Sequence, residues 1–308
     1  MTAGPVLSVI IVSFDMAREL PRTLRSLSPD IQQGLARGEV EILVVDNGST
    51  PPVSAETLPP LPDLRIIRIK DGGVSPCRGI NRAAAEARGR LIAIMVDGAR
   101  MASPGLLSAA VQACGIDPLA FVATLGFHLG PKVQQISVTE GYDRAVEDGL
   151  LASIGWPDDG YRLFEISSLG ESYARGAWAS PPETTFFAMA RDRFLAIGGF
   201  DERFASPGGG LANFDVMERA LADPAAPLIL LVGEATFHQL HYGATTQASG
   251  IRRAVAADGE TLGQVYAAEY ARVRGHAYAP ASRHPFLFGR LTHPAVGRLF
   301  FPDVSAIG

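Results

Sequence analysis

Hydrophobic residues along this chain occur in short unbroken runs, separated by segments in which they recur every three or four positions. The runs at 7–14, 40–45 and 91–96 are bounded by turn residues, which is typical of strands buried on both faces of a sheet. The segments 16–27 and 77–88 place their apolar side chains on one side of a helix. Strands that alternate with helices in this order predict a mostly parallel central sheet flanked by helices.

The pattern continues through the rest of the chain, with longer irregular stretches. It predicts further strands at 64–69, 121–125, 185–190 and 228–232, and helices at 104–114, 139–154 and 213–221. From Gly250 the character changes to a helical segment, 252–274, followed by a proline-rich tail. We therefore predict an α/β domain over residues 1–247 and a helical C-terminal extension, residues 248–308, packed on it.

The composition is that of an ordinary globular protein of 308 residues, with 47% hydrophobic residues, 19% charged residues and a net charge of −5. This charge gives no broad electrostatic footprint for nucleic acid. No apolar run approaches the ~20 residues that cross a bilayer, and the N-terminus lacks the charged region of a signal peptide. Cys77 and Cys114 have no zinc-binding spacing. We expect a soluble cytoplasmic protein without a transmembrane segment or a nucleic-acid partner.

Polar clusters follow three of the predicted strands, at 13–15, 46–48 and 97–98. Because parallel strands place their carboxyl ends at one edge of a sheet, where open α/β sheets bind ligands, we expect the three clusters to converge. No glycine-rich phosphate loop follows the first strand. Asp97 has no lysine or histidine beside it, so it faces a phosphate only through a cation. The sequence predicts a metal-bridged phosphate ligand, with a plain turn cap at Asp97 as the alternative.

Four segments in this order resemble the large glycosyltransferase family two: LSVIIVSFDMARELPRTLRSL, VEILVVDNGST, NRAAAEARGRLIAIMVDGA and GGFDERF. The likeness extends over residues 7–245. It implies the GT-A fold and the transfer of a sugar from a nucleoside diphosphate sugar, taken as UDP-type, to an acceptor hydroxyl, usually with inversion. The acceptor, whether a glycan, a lipid-linked molecule or a small molecule, stays open.

The resemblance also implies donor-binding residues at the strand ends. They would hold the nucleoside and the diphosphate through Ser13, Phe14, Asp46, Asn47, Arg78 and Asp97. The residue types agree, since an aspartate accepts an N–H from a base and an aromatic ring stacks on it. A plain turn at 46–48 and a solvated helix position for Arg78 are the alternatives.

The family's metal motif is two aspartates separated by one residue, and here its second position is Ala99. Asp97 would therefore need other ligands, and the resemblance points to His238 and His241 as partners for a manganese or magnesium ion. Their spacing puts the two histidines on opposite faces of a strand, so both reach one ion only where the chain turns. Arg100 either offsets phosphate charge or simply faces solvent.

The general base expected from the family is also missing, because Asn213 stands at its position and cannot accept a proton. We expect Asn213 to be a helix N-cap instead. Asp215 and Glu183 are then the carboxylates that could deprotonate an acceptor. A retaining mechanism stays open, as does a catalytically impaired relative that binds a nucleotide sugar or glycan.

An acceptor pocket is expected from residues 127–183, and it would include His128, Tyr142 and Trp156. A nucleotidyltransferase on a similar sheet is disfavoured, because such enzymes need a glycine-rich, cation-bearing loop after the first strand. The segment 13–16 provides no such loop.

Overall fold

A mixed sheet forms the centre of the molecule in the computed structural model, which describes residues 4–241, 261–280, 283–291 and 294–303. Its strands in the described residues are β1 (Leu7–Ser13), β2 (Val40–Asp46), β3 (Leu64–Arg68), β4 (Leu91–Met95), β5 (Arg100–Ala102), β6 (Phe121–Leu129), β7 (Ser167–Leu169), β8 (Phe186–Ala190), β9 (Leu228–His238) and β10 (Phe286–Gly289). The order across the sheet is β10-β9-β6-β8-β4-β1-β2-β3, with β5 paired to β9 and β7 paired to β6.

Strand direction divides the sheet into two parallel blocks. Strands β3, β2, β1 and β4 run parallel to their neighbours, and so do β6, β9 and β10. Strand β8 runs antiparallel between β4 and β6 and joins the two blocks. The predicted α/β architecture with a central sheet and flanking helices is confirmed, and the carboxyl ends of β1, β2 and β4 meet at one edge.

Helices cover both faces of this sheet. In the described residues they are α1 (Leu20–Ser26), α2 (Cys77–Glu86), α3 (Leu106–Cys114), α4 (Gln134–Ser137), α5 (Arg144–Ser153), α6 (Arg191–Ala196), α7 (Ala212–Ala220), α8 (Leu262–Arg274) and α9 (Pro294–Phe300). Alternate residues of β1 explain its unbroken apolar sequence. Val9 and Ile11 pack in the cluster beneath α1 and α3, while Ile10 and Val12 pack beneath α2 and α7.

The C-terminal part of the chain contributes to both the core and the sheet. Tyr270 and Val273 of α8 are buried in the same cluster as α2 and α7. Strand β10 pairs with β9, which the sequence pattern did not predict. The predicted helix from Arg252 is described only from Leu262 onwards. The division at residue 247 lies outside the described residues and stays a prediction.

Two helix starts differ from the sequence prediction. Helix α7 begins at Ala212, so Asn213 lies within its first turn and is not the N-cap. Helix α5 begins only at Arg144, because the carboxylate of Asp143 caps it by accepting a hydrogen bond from the backbone N–H of Val146 (2.9 Å). Among the described residues, no helix combines the length and apolarity needed to cross a membrane.

Candidate functional site

The ends of β1, β2 and β4 lie against one another. Ser13 pairs with Asp46 in the parallel register, and the backbone N–H of Asn47 donates to the carbonyl of Ser13 (2.9 Å). A Cβ at Gly98 would lie 3.0 Å from the carbonyl oxygen of Val12, so the chain after β4 passes close to the end of β1, and a larger residue would push the two apart. The predicted convergence of the three polar clusters is therefore present in the structure.

Asp46 is fully buried at the end of β2, and its carboxylate organises the loop that follows. It accepts backbone hydrogen bonds from Ser49 (2.9 Å) and Val53 (2.9 Å), and it forms an ion pair with Arg68. Burial would raise the pKa of Asp46, but these hydrogen bonds outweigh it and hold the pKa below its ordinary value. Asp46 is thus an ionised carboxylate with several donors already around it.

Two buried polar atoms beside Asp46 have no hydrogen-bond partner among the described residues. They are the hydroxyl oxygen of Ser13 and the side-chain oxygen of Asn47. The amide nitrogen of Asn47 donates to the carbonyls of Gly73 and Ser75, both at 3.1 Å, so this side chain is fixed in place. Buried polar groups are normally paired, so these two oxygens are hydrogen-bond acceptors that the described residues leave unused.

Phe14 and Arg78 are accessible at the same edge. Phe14 directly follows β1 and is 46% exposed, which leaves its ring available for stacking. Arg78 lies exposed in the first turn of α2, and no described residue accepts a hydrogen bond from its side chain. The predicted donor-binding roles of these residues are compatible with their positions and stay predictions.

Asp97, His238 and His241 form a group whose possible metal-ligating atoms lie within 4.8 Å of one another. The Nε2 atoms of the two histidines are 3.0 Å apart, and His238 Nε2 lies 3.7 Å from Asp97 Oδ2. One carboxylate and two imidazoles suit manganese better than magnesium, which prefers oxygen ligands. The predicted group of metal ligands is therefore brought together in space.

A turn directly after β9 directs both histidines to the same point. The backbone N–H of Gln239 donates to the carbonyl of Ala99 (2.8 Å), and its side chain donates to the carbonyl of Glu19 (3.1 Å). The N–H of Leu240 donates to the carboxylate of Glu147 (2.6 Å). Because strand geometry ends at His238, the spacing of three no longer separates the two imidazole rings.

Gln134 orients His238, and sequence reasoning did not identify it. Its side-chain oxygen lies 2.7 Å from His238 Nδ1, and its side-chain nitrogen donates to the carbonyl of His238 (2.9 Å). Nδ1 therefore carries the proton, and Nε2 is left with a lone pair toward Asp97 and His241. His128 accepts the backbone N–H of Gln134 through Nδ1 (2.9 Å). Nothing in the sequence marks Gln134, because it acts only through this contact.

The imidazole rings are held neutral. Burial lowers the pKa of His128 to about 4, with a further contribution from the charge of Arg100. Burial also lowers the pKa of His238 well below its ordinary value, and burial lowers the pKa of His241. Neutral imidazole is the form that binds a metal, so the site needs no proton loss at neutral pH.

The two residues after Gly98 differ from the expected motif for different reasons. The methyl group of Ala99 is fully buried in the apolar cluster beneath α1, so position 99 faces the core rather than the metal ligands. Arg100 does not simply face solvent. Its side chain is 12% exposed and its Nε atom donates to Asp97 Oδ2 (3.0 Å).

The two candidate bases lie in different surroundings. Glu183 is partly exposed, its carboxylate accepts a hydrogen bond from the hydroxyl of Ser172, and it lies two residues before Thr185. The carbonyl of Thr185 accepts the N–H of Val96 (3.3 Å), the residue before Asp97, so Glu183 approaches the carboxyl end of β4.

Asp215 is 1% exposed and is enclosed by two arginines. Its carboxylate forms ion pairs with Arg219 and with Arg274, so both oxygens already have guanidinium partners. Asn213, two residues earlier in the same turn, donates from its side chain to the carbonyl of Thr184 (3.2 Å). This arrangement gives Asp215 a structural environment, and its role as a base stays a prediction that the geometry does not favour.

The aromatic residues expected in an acceptor pocket make internal contacts. Tyr142 is buried, and its hydroxyl donates to the carboxylate of Glu147 (3.4 Å). Trp156 is partly buried against the apolar cluster of β6 and β9. The ring of His128 lies 5.4 Å from that of His238. The acceptor pocket stays a prediction, and two of its expected residues support neighbouring elements of the site.

Comparison with known proteins agrees with the resemblance. Residues 8–115 match the model of glycosyl transferase family 2, whereas no curated protein sequence matches the chain. The structure of residues 1–349 of S. aureus TarS in complex with UDP-GlcNAc is similar, with a TM-score of 0.53 and 13% identity, covering 86% of this chain and 66% of that chain. GalNAc-T7, solved with UDP, GalNAc and Mn²⁺, gives a TM-score of 0.51 and 15% identity, covering 78% of this chain and 45% of that chain.

These similarities confirm the GT-A fold and, over residues 8–115, the predicted resemblance to family two glycosyltransferases. The chain spans 66% of the length of the TarS chain that it matches. Asp97 lies within the family match, whereas His238, His241 and both candidate bases lie beyond it. The predicted metal ligands beyond Asp97 and the predicted bases therefore lie outside the part of the chain that the family model matches.

Proposed function

We propose that this protein is a glycosyltransferase that moves a sugar from a nucleoside diphosphate sugar to an acceptor hydroxyl. The observation that carries this proposal is that a candidate nucleoside site and a candidate metal site lie at the same edge of the sheet. The unpaired oxygens of Ser13 and Asn47 lie where β1 and β2 end, and the chain next to Asp97 approaches Ser13 through Gly98. Asp97 in turn belongs to the group with His238 and His241. A nucleoside in the first site would extend its diphosphate toward the second. UDP is the preferred nucleotide, because TarS of similar fold was solved with UDP-GlcNAc.

Asp97, His238 and His241 would hold a divalent ion, with manganese favoured by the two imidazoles. Such an ion, when bound, offsets the charge that develops on the leaving diphosphate. Gln134 keeps the proton of His238 on Nδ1, which leaves Nε2 available as a ligand. A structure of GalNAc-T7 with the same fold was solved with Mn²⁺ and UDP, in agreement with this assignment.

The sugar transfer would take place in a single displacement step that inverts the configuration at the anomeric carbon. The acceptor oxygen forms a bond to the anomeric carbon while the bond from that carbon to the diphosphate oxygen breaks. The electron pair of the broken bond stays on the diphosphate, and the proton of the acceptor hydroxyl moves to a carboxylate. Glu183 is the better candidate for this base, because it is partly exposed beside the end of β4 and Asp215 is enclosed by arginines.

The test is donor turnover by the full chain with UDP-sugars and GDP-sugars, with Mn²⁺ or with a chelator, followed by the anomeric configuration of the product. We expect Mn²⁺-dependent hydrolysis or transfer with inversion. Failure of both UDP and GDP to bind, with and without Mn²⁺, would refute the proposal. A product that retains the anomeric configuration would refute the inverting mechanism alone.

Substitution of the two carboxylates separates their roles. Glu183→Gln removes a proton acceptor and should lower the turnover number by roughly 100-fold or more, with the donor affinity unchanged. Asp215→Asn weakens the contacts with Arg219 and Arg274, so it should lower the melting temperature while the folded protein keeps its turnover number. The opposite result would identify Asp215 as the base.

A second function is supported by one observation. Asn213 stands where the family places its base, and its side chain is used in a hydrogen bond to the backbone of Thr184. A relative that binds a nucleotide sugar or glycan without turnover would show nucleotide binding and an intact fold, but no product from any donor. A cytoplasmic location and the identity of the acceptor stay predictions.

A further inference from the structure

Arg100 has hydrogen-bonding capacity that the protein itself does not use. Its guanidinium carries five N–H groups, and the structure assigns a partner only to the one on Nε, which donates to Asp97 (3.0 Å). Among the described residues, none accepts a hydrogen bond from either Nη atom. The side chain is only 12% exposed, so this cation is fixed beside Asp97 rather than extended into solvent.

The backbone explains why Arg100 is held there. It begins β5, which pairs antiparallel with β9, and its register partner is His238. The same pairing continues through Met101 opposite Phe237, both of them fully buried. The backbone of Arg100 is therefore held in the same sheet edge as His238, and its guanidinium lies within hydrogen-bonding distance of Asp97.

The charges at this edge cancel before any ligand arrives. Asp97 contributes one negative charge, Arg100 contributes one positive charge at 3.0 Å from it, and an imidazole side chain adds no negative charge. Ala99 faces the core and adds no second carboxylate to this group. A divalent ion entering alone would therefore meet one carboxylate whose charge Arg100 already offsets, which opposes its binding.

A diphosphate changes this balance because it brings at least two negative charges. We propose that Arg100 binds the diphosphate of the donor through its Nη groups and that binding of the divalent ion depends on this diphosphate being present. The inference rests on the proposed function. During transfer, Arg100 stays protonated and stabilises the electron pair that moves onto the leaving diphosphate oxygen, while the acceptor proton moves to the base.

The test compares Arg100→Met, Arg100→Lys and the control Arg37→Met, in which an exposed arginine paired with Asp30 is lost far from the metal ligands in the chain. Calorimetry measures binding of UDP and uridine, and of GDP and guanosine, without metal. Electron paramagnetic resonance measures binding of Mn²⁺ with and without UDP or GDP. Thermal melts establish that each variant is folded.

The wild-type protein should bind Mn²⁺ weakly alone and more tightly with the nucleoside diphosphate. Arg100→Met should lower the affinity for the nucleoside diphosphate by roughly tenfold, the size expected for a lost hydrogen bond to a charged group, and leave the nucleoside unchanged. It should also bind Mn²⁺ alone more tightly than the wild type does, because the competing cation is gone.

Arg100→Lys keeps the charge but offers one nitrogen in place of the guanidinium fork. It should therefore bind Mn²⁺ alone as weakly as the wild type and lose part of its diphosphate affinity. If Arg100→Met does not fold, the affinity of Arg100→Lys for the nucleoside diphosphate tests the inference in its place. An unchanged ratio of diphosphate to nucleoside affinity in the folded Arg100 variants would overturn the inference alone. Absence of any nucleotide binding to the wild type would overturn the proposed function and the inference together.

Discussion

At the scale of single residues, position 99 shows why this metal site differs from a two-aspartate motif. Ala99 is fully buried and packs with Met16 and Leu20, so its side chain points toward α1 and away from the imidazoles. Its carbonyl instead receives the N–H of Gln239 and fixes the turn that carries His241. The candidate site therefore has no second carboxylate at position 99. Its other possible ligands are the last residue of β9 and a residue of the turn that follows.

Ala99→Asp should not restore a two-aspartate site. The new carboxylate would be buried among apolar side chains without a partner, and we expect the free energy of unfolding to fall by about 3 kcal/mol. Mn²⁺ affinity should not rise. Urea denaturation and Mn²⁺ titration measure the two effects, with Ala85→Asp on the exposed face of α2 as the control. A stable Ala99→Asp protein with tighter Mn²⁺ binding would contradict this account of the site.

At the scale of elements, helix α5 holds the turn that carries His241, one of the predicted metal ligands. The spacing of apolar residues in this helix predicts that Val146 is buried. Val146 is instead 44% exposed, and the neighbouring Glu147 is fully buried. Glu147 accepts the N–H of Leu240 (2.6 Å) and pairs with Arg18 (3.1 Å). Burial raises the pKa of Glu147, and the Leu240 N–H and Arg18 oppose that effect. The helix is rotated so that a carboxylate can hold the turn after β9.

Glu147→Leu should therefore weaken the metal site without touching a ligand. Loss of the acceptor for Leu240 frees the turn, and we expect Mn²⁺ affinity, measured with UDP present, to fall by roughly tenfold. Asp148→Leu is a matched control, since Asp148 pairs with Arg18 and Arg22 but does not contact the turn. It should leave Mn²⁺ affinity unchanged. Equal losses in the two variants would show that the arginines, rather than the turn, determine binding.

At the scale of the whole molecule, the described C-terminal residues complete the sheet and fasten α8 to the segment after α6. Strand β10 extends the sheet at β9, and Arg274 of α8 pairs with Asp201 (3.1 Å) and with Asp215. Asp201 also receives the side chain of Arg203 (2.6 Å). These contacts explain why an acid in the family-like motif GGFDERF serves here in a structural ion-pair network.

The ion pairs of Asp201 predict a stability change at low pH. Hydrogen bonds from Arg203 lower the pKa of Asp201 from 3.8 to about 2. The folded protein therefore binds this proton less readily than the unfolded chain does, so the stabilisation is complete above about pH 4 and disappears as the pH falls through 2. Solvent screening reduces its size, and we expect about 1 kcal/mol.

Urea denaturation of Asp201→Asn and wild type at pH 7 and at pH 3 measures this contribution. The difference in unfolding free energy should be about 1 kcal/mol at pH 7 and smaller at pH 3. Asp30→Asn, which alters an exposed ion pair with Arg37, should give almost no difference at pH 7. A difference for Asp201→Asn that is the same at both pH values would mean that lost packing, rather than charge, is responsible.

The sequence by itself determined the parallel strands, the edge of the sheet at which a ligand would bind and the first of the predicted metal ligands. These features follow from local information, because a buried strand needs an unbroken apolar run and its end is marked by polar turn residues. The segment around Asp97 therefore predicts, without any tertiary contact, a phosphate ligand bound through a cation.

The resemblance pointed to His238 and His241, but only the tertiary structure decided whether both could face Asp97 and which neighbours position them. His238 and His241 lie about 140 positions from Asp97, and only the turn after β9 lets both rings face it. Gln134 and Arg100 gain their roles from a hydrogen bond to His238 and an ion pair with Asp97, and neither contact has a sequence signature. The physical reason is that apolar periodicity records burial within one element, whereas a ligand set depends on how several elements are packed together.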